Sequence, residues 1–572
     1  MRTSTTGDAR LWTLSLGGAA TMVLVQPPAD LWMLAWVAPL PWLLLVQQRG
    51  LPGRRPWLAL WVAGFAYWLT AIHWLRLPHP ATSIGWVALS AYLAGYVPLF
   101  VWTARRLVHR WHWPLVPAAA VAWMACEQTR GWVLGGFTFA GLGHTQWRWT
   151  TLIQCADALG AVGIGGLVMA AAAAIATALR AESRRVKIVD AAIAAGALTL
   201  ALAYGTWRLA DAPAPAGRPL DVLLVQGSID TELKHDPDAV VTVARHYDEL
   251  TMTGLAAEPA RKPDLVVWPE TMWRVGLLDI DPTVDFPAAE VEEALGPPAA
   301  DAPPASAGRQ SRYRRLLEQQ RLDALAPFAK RYATHWLVGL DRQRIVAADP
   351  PRWESYNSAL FLDAAGQKLG CYDKMHPVMF GEYVPGADWF PFLYRLTPLP
   401  GGLTAGRAPI AVPIAGRQVT ANICYETALP EAVRSLVCAL AAAGRRPDVI
   451  VNLTNDGWFW GSSELDMHLV AAIFRAVEVR TPIVIAANTG FSASIDGSGR
   501  LLARGPRRRT ATLRVEVRPD GRRSPWLVAG SLPVGSCVAV MAAVTLPCLL
   551  SRLAGRPRLP TGGAGTTALE PY

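Results

Sequence analysis

Val419-Thr420-Ala421-Asn422-Ile423-Cys424-Tyr425-Glu426 reads as a short apolar strand that ends on a thiol, with a carboxylate two residues further on. A brief apolar run rich in β-branched residues marks a buried strand. A cysteine at the end of such a strand, with carboxylates nearby, is a candidate nucleophile. The same residues also fit a buried inert thiol, or half of a disulfide with Cys371 or Cys438.

Two more sites repeat the arrangement. Val266-Val267-Trp268-Pro269-Glu270 sets a carboxylate rigidly behind an apolar run and a proline. Burial there raises a carboxyl pKa toward the general-base range. Alone, the residue reads equally as a strand-end Glu in water. Tyr372-Asp373-Lys374-Met375-His376 carries an ammonium that can hold a developing oxyanion, although a lone Lys is ordinarily a solvated surface charge. Around these sites, β-rich runs at 222–226, 265–268, 336–340, 358–362, 419–424, 449–453 and 483–487 are interleaved with helical patterns at 311–331, 429–443 and 464–480. That alternation predicts an α/β domain over 218–524. It opens after the linker Asp211-Ala212-Pro213-Ala214-Pro215-Ala216-Gly217. The Ala/Pro/Gly-rich stretch 295–309 reads as a mobile surface insertion.

The rest of the chain is a different material. Charged residues make up 17% of it, against roughly 25% in a typical soluble chain. Mean hydropathy is +0.22. Tryptophan, at 25, outnumbers Tyr and Phe at 13 each, and its amphipathic ring favours membrane interfaces. These figures exclude disordered, collagenous and disulfide-scaffold classes. Apolar stretches centred on 11–26, 31–47, 57–75, 84–103, 115–128, 160–179 and 189–207 precede the α/β segment, and one at 526–549 follows it. A span needs about 20 apolar residues. The pattern predicts a membrane helical bundle of about eight spans. Seven lie in a 1–210 region and one at 525–550, before a 551–572 tail.

Basic residues then set the orientation. Arg49, Arg54 and Arg55, then Arg105, Arg106 and Arg110, then Arg180, Arg184, Arg185 and Lys187 fill every second connection. Arg552, Arg556 and Arg558 follow the last stretch, while the alternate connections hold only Arg76, Arg130 and Arg148. Positive residues stay in the cytoplasm. Both termini are therefore expected inside, the tail is cytoplasmic, and 218–524 lies outside. This placement accounts for much of the net charge of +10 without a nucleic-acid partner. The histidines His73, His79, His109 and His112 show no metal-ligand spacing. Neither a metal nor a cofactor is expected.

The order Glu, Lys, Cys at strand ends, with its flanking words, resembles the nitrilase or carbon–nitrogen hydrolase superfamily. With a membrane-embedded N-terminal half and one further helix, the chain is similar to its apolipoprotein N-acyltransferase family. The words carrying the resemblance begin with Val225-Gln226-Gly227, Trp268-Pro269-Glu270 and Tyr356-Asn357-Ser358. Lys374 then precedes Phe380-Gly381-Glu382-Tyr383-Val384-Pro385, and Cys424-Tyr425-Glu426 follows. The last are Asn452-Leu453-Thr454-Asn455-Asp456-Gly457-Trp458-Phe459, Arg475-Ala476-Val477-Glu478 and Asn488-Thr489-Gly490.

The resemblance implies an extramembrane αββα sandwich on the periplasmic side of the inner membrane. It implies fatty acyl transfer from a membrane phospholipid to the α-amino group of a diacylglyceryl-cysteine on an apolipoprotein. Cys424 is implied as nucleophile, Glu270 as base and Lys374 as oxyanion holder. Glu382, Tyr425, Glu426, Asn357 and Trp458 are implied as supporting or substrate-binding residues. The chain departs from the family words at Ser228, His235 and Thr138-Phe139, where Asn, Trp and Pro-Trp are usual. These departures bear on lipid preference rather than on the reaction. The rival readings are a membrane-tethered amidase of the same fold, a transporter with an external domain, and a scaffold with an inactive domain. Few charges in the spans apart from Glu127 speak against transport.

Overall fold

The computed structural model describes residues 2–212, 217–230, 233, 236–297, 306–347, 352–387, 389–396 and 401–553. A helical part comes first, in which the apolar stretches become Arg2–Leu24, Leu40–Val46, Pro56–Ala71, Thr82–Ala94, Tyr96–Arg110, Leu115–Trp132, Ala156–Arg180 and Arg184–Ala210. Leu532–Leu553 closes the described chain.

Among the described residues, three helical segments are long and apolar enough to cross a membrane: Thr82–Arg110, Ala156–Arg180 and Arg184–Ala210, at 29, 25 and 27 residues. Shorter apolar helices are Trp32–Val46 and Leu532–Pro547. The count of three against an expected eight has local causes. The 31–47 stretch contains Pro39 and Pro41, and divides into a tight turn at Trp32–Trp36 and the seven-residue helix Leu40–Val46. Pro56–Ala71 has 16 residues, short of the roughly 20 that a straight span needs. Leu115–Trp132 carries Glu127 and Arg130, both buried.

The α/β part holds two six-stranded sheets. The first is built from β1 (Leu220–Gln226), β2 (Leu265–Ile280), β3 (His335–Val346), β4 (Arg352–Leu362), β5 (Lys368–Asp373) and β12 (Ala511–Val517), in the order β12-β1-β2-β3-β4-β5. The second contains β6 (Ala411–Ile414), β7 (Arg417–Ile423), β8 (Val449–Thr454), β9 (Ile483–Ala487), β10 (Ala493–Ile495) and β11 (Leu501–Arg504), in the order β11-β10-β9-β8-β7-β6. In each sheet three central strands run parallel: β1, β2 and β3 in one, and β7, β8 and β9 in the other.

Period-two alternation assigns the faces. Val222, Leu224, Leu265 and Val267 share one core with Val419, Ala421 and Ile423 of the other sheet. Leu223, Val225, Val266 and Trp268 point the opposite way, onto Val243 and Tyr247 of the helix Val240–Ala256. The helices Pro430–Ala442 and Glu464–Val479 pack on the second sheet through Val433, Leu436, Leu469 and Ile473. The layering is helix, sheet, sheet, helix. Each fully buried aliphatic side chain contributes about 1.5–3 kcal/mol to it.

Two sequence expectations need correction. β2 does not stop before Pro269 but runs to Ile280, with a break in register between Trp268 and Trp273. Thr271 takes a left-handed φ of 54° in that break, so Glu270 sits in a bulge rather than past a strand end. Within the expected 295–309 insertion, the helix Ala307–Asp323 has already begun, while 298–305 lie outside the described residues. Residues 213–216 of the linker and 554–572 of the tail also lie outside them.

A buried charge cluster locks the two parts together. The fully buried Asp157 of the helical part accepts hydrogen bonds from Arg480 Nη2 at 2.6 Å and Arg208 Nε at 2.8 Å. Tyr204 donates to its other oxygen at 2.6 Å. Glu478 Oε1 accepts the Ala161 N–H at 2.9 Å across the same seam. Asp157 and Arg208 flank the apolar stretches 160–179 and 189–207, so this cluster adds to Glu127 without falling inside those stretches. Removing one member of such a cluster strands the others. Asp157→Ala is expected to cost about 3–5 kcal/mol, measured by denaturant unfolding of the detergent-solubilised protein against wild type.

Candidate active site

Cys424 begins a tight turn, Cys424–Ala428, straight off β7. Its φ is +52°, a left-handed conformation that costs a side-chain-bearing residue energy. Such strain survives only where surrounding contacts fix it. Here they are present on every side. The Cys424 carbonyl accepts from His468 Nε2 at 3.1 Å and Asn452 Nδ2 at 3.2 Å. Glu426, two residues on and buried, accepts the Ile423 N–H at 2.7 Å, the Met375 N–H at 2.7 Å, the His376 N–H at 3.0 Å and the Tyr372 hydroxyl at 2.9 Å. One carboxylate thereby ties the nucleophile's turn to the segment that carries Lys374.

Lys374 is almost wholly buried. Its Nζ lies 2.7 Å from Glu382 Oε1 and 3.6 Å from Glu270 Oε1. Burial works against its charge, but Glu382 and then Glu270 outweigh it and raise the pKa, so the ammonium stays charged. Glu382 is held in turn by the Val378 N–H at 2.7 Å. Glu270 accepts from Asn357 Nδ2 at 2.7 Å on one oxygen and from the Asn455 N–H at 2.8 Å on the other. The Cys424 thiol is pushed well above its ordinary pKa, first by burial and then by Glu270, with Lys374 opposing. The resting site therefore combines a neutral thiol, a carboxylate and a fixed cation.

Of the residues singled out in the sequence, Glu270, Lys374, Glu382, Asn357, Cys424 and Glu426 come together here. Tyr425 turns the other way. Its hydroxyl donates to the Gly136 carbonyl of the helical part at 2.8 Å, and its ring lies 5.7 Å from Phe139. Trp458 stands half-buried on the turn Asp456–Phe459 that follows β8. Cys371, Cys424 and Cys438 are free thiols, which removes the disulfide reading. The departures divide. Ser228 holds a left-handed φ of 52° and donates its N–H to Asn488 O at 2.9 Å. Thr138 donates its hydroxyl to the Ala428 carbonyl at 2.7 Å, on the nucleophile's own turn. His235 lies outside the described residues.

Sequence reasoning missed Asn455, whose contribution is a backbone N–H, and the buried trio Asp456, Glu464 and His468 behind Cys424. The spacing of Glu464 and His468, four residues apart on one helix, was the available signal.

The aromatic segments are resolved as well. Trp389 is 83% exposed, and Phe390 and Phe392 are 55% each, so this segment is not core. Trp460 is 48% exposed, whereas Phe459 packs edge-on against Trp74 of the helical part at 5.1 Å. A cavity of about 210 Å³ opens along the seam, lined by Trp132, Thr138, His376, Leu429, Arg475 and Trp526.

Residues 18–174 match the apolipoprotein N-acyltransferase N-terminal domain, and residues 225–524 match the carbon-nitrogen hydrolase family. An apolipoprotein N-acyltransferase of Rhodopirellula baltica is 30% identical over 560 residues, spanning 92% of this chain and 94% of that one. The chain belongs to the apolipoprotein N-acyltransferase family. A second member, from Geobacter metallireducens, is 30% identical over 548 residues and covers 94% of each chain. Among solved structures, an amidase from Nesterenkonia sp. is 16% identical over 56% of this chain and 96% of that one, with a TM-score of 0.33. Family membership and the apolar helices make this a membrane enzyme, an N-acyltransferase of the carbon–nitrogen hydrolase superfamily.

The strain at Cys424 has a measurable consequence. Glycine accepts φ +52° freely, whereas alanine does not. Cys424→Gly is expected to be about 1 kcal/mol more stable than Cys424→Ala, as read from paired denaturation curves.

Proposed function

We propose that the protein moves a fatty acyl chain from a membrane phospholipid to the α-amino group of the diacylglyceryl-cysteine at an apolipoprotein's N-terminus. The observation that carries this reading is a strained, partly accessible thiol under the influence of a buried carboxylate–ammonium pair, in a chain of this family. Cys424 attacks the phospholipid ester carbonyl. Because its thiol is neutral at rest, the proton must leave as the sulfur attacks, and Glu270 receives it. Lys374 faces the oxyanion of the tetrahedral intermediate. The lysolipid alkoxide leaves with a proton from Glu270, and a thioester remains on Cys424. The amine then attacks the thioester, Glu270 takes its proton, and the thiolate leaves and is reprotonated. One site thus serves two substrates in turn.

Glu382 holds Lys374, Asn357 orients Glu270, and Glu426 fixes the turn against the Lys374 segment. Tyr425 sets the turn's distance from the helical part. Both substrates are lipid-anchored, so the site must meet the membrane from the side. The seam cavity beneath the turn and the exposed Trp389, Phe390 and Phe392 support that approach. In this reading 1–210 and 525–550 embed the protein through about eight helices, tilted or paired where they are short. The 218–524 domain faces the periplasmic side of the inner membrane, and 551–572 is cytoplasmic. Neither a metal nor an organic cofactor has a step.

Mass spectrometry after exposure to phospholipid should find one acyl mass on Cys424. Cys424→Ala should lose it, while Cys371→Ala and Cys438→Ala keep it. An adduct that persists in Cys424→Ala sinks the assignment.

The roles of Glu270 and Lys374 separate with pH. Glu270 is a cause of the raised thiol pKa, so Glu270→Gln lowers that pKa as it removes the base. Thiolate then forms more readily as pH rises, and single-turnover acylation should partly recover. Lys374→Met should lose on the order of 10²–10³ in rate, with no recovery, because alkali does not replace a cation. Equal recovery of both variants would reverse the roles.

Orientation has its own check. A cysteine introduced at 300 should react in intact spheroplasts with a membrane-impermeant thiol reagent. Labelling only after the membrane is broken would refute the outward placement.

A further inference from the structure

Against the backbone carbonyl of Cys424 lies an ionisable group with no step in the reaction above. His468, on the helix Glu464–Val479, is 3% exposed. Its Nε2 is 3.1 Å from the Cys424 carbonyl oxygen, and its Nδ1 is 3.2 Å from Asp456 Oδ1. Asp456 Oδ1 also accepts the Thr454 hydroxyl at 2.7 Å. Glu464, one helical turn earlier, completes the trio, with ligating atoms all within 4.8 Å of one another.

Three such groups raise the question of a metal, and the hydrogen bonds answer it. A carbonyl oxygen only accepts, so Nε2 carries a hydrogen. A carboxylate oxygen that already accepts from Thr454 calls for a second hydrogen on Nδ1. A ring protonated on both nitrogens has no lone pair for a metal. With Nε2 turned to the carbonyl and Nδ1 to the carboxylate, the trio is a hydrogen-bonded charge cluster rather than a ligand set.

We propose that His468 is a positioning residue for the nucleophile: a standing imidazolium that clamps the Cys424 carbonyl and so holds the left-handed turn on which the sulfur is presented. This rests on the acyl-enzyme reading and deepens it. Three further facts support it. Cys424 is strained, and its carbonyl has just two side-chain partners, His468 and the neutral Asn452, among the described residues. Burial opposes the charge on His468, but Asp456 and then Glu464 outweigh it and push its pKa up to about 9. Glu464 is itself raised well above the carboxylate range by burial, with Asp456 and Asp466 adding to the effect. The other charged groups near the turn are Glu270 and Lys374, which act on the Cys424 thiol, Glu426 within the turn, and Arg475, whose Nη1 donates to the Ala428 carbonyl at 3.2 Å. Lys374, with its raised pKa, keeps its proton through the range where His468 loses its own.

The test is single-turnover acylation of Cys424 in the full-length protein, in phospholipid vesicles, from pH 6 to 10. Hydrogen bonds to charged groups are the strong class, so His468→Gln should acylate about 10- to 100-fold more slowly. The KM for phospholipid should stay unchanged, because His468 does not meet the lipid. Wild-type acylation should fall as pH passes about 9, where the imidazolium proton leaves. His468→Gln should lack that alkaline limb, and Asp456→Asn should move it to lower pH. Should the variants fail to fold, nitrogen NMR of histidine-labelled wild type at pH 7.5 still decides, because both His468 ring nitrogens must be protonated. A neutral ring, a wild-type rate in His468→Gln, or a limb unchanged in that variant overturns the proposal. So does a stoichiometric divalent metal that His468→Gln loses. Absence of any acyl adduct on wild-type Cys424 would instead overturn the acyl-enzyme reading itself.

Discussion

The Cys424–Ala428 turn is the constraint on which the rest of the molecule converges. It leaves β7 with a left-handed residue, which no isolated peptide of this sequence would favour. The cost is offset by a carboxylate, Glu426, that gathers donors from both sides of the turn. A buried carboxylate without those donors would be far more costly than the strain it relieves. Turn and Lys374 segment therefore form together or not at all. The same coupling places the ammonium and the thiol with respect to each other, although they lie fifty residues apart in sequence and on different sheets.

Electrostatics inside the site follow from that placement. Two carboxylates, Glu270 and Glu382, share one ammonium. The excess negative charge keeps Lys374 protonated and opposes ionisation of Cys424. A resting thiolate would be a stronger nucleophile, but it would also be more open to oxidation. A neutral thiol that ionises only as it attacks avoids this, and needs a base within the site.

The turn's outer face has a second task. Ala428 O accepts from Thr138 of the helical part and from Arg475 of the α/β part, while Tyr425 reaches Gly136. Arg475 in turn pairs with Glu478, which receives the Ala161 N–H. Nucleophile, sheet and helices are thus joined by a continuous set of buried polar contacts rather than by a flexible tether. Such a junction suits lipid-anchored substrates, because the sulfur's height above the helical part is set by covalent and hydrogen-bonded geometry.

How much of this was legible in the sequence depended on what each residue contributes. Glu270, Lys374 and Cys424 carry their chemistry in side chains and stand in short recognisable words, so they could be named in advance. The apolar runs of β1, β7, β8 and β9 follow from periodicity, because burial of a central strand leaves few alternatives. The bulge at Thr271 could not be read, since nothing in Trp268-Pro269-Glu270-Thr271 distinguishes a strand that ends from one that skips a register. Helix length was less legible for a related reason: apolarity sets what is buried, but prolines at 39 and 41 decide where the 31–47 stretch divides. Asn455 was invisible because it acts through a backbone N–H that every residue type but proline possesses. His468 was visible as a residue but not as a neighbour of Cys424. Its partner there is a carbonyl oxygen, and the position of a carbonyl is decided by the fold rather than by the identity of the residue that bears it.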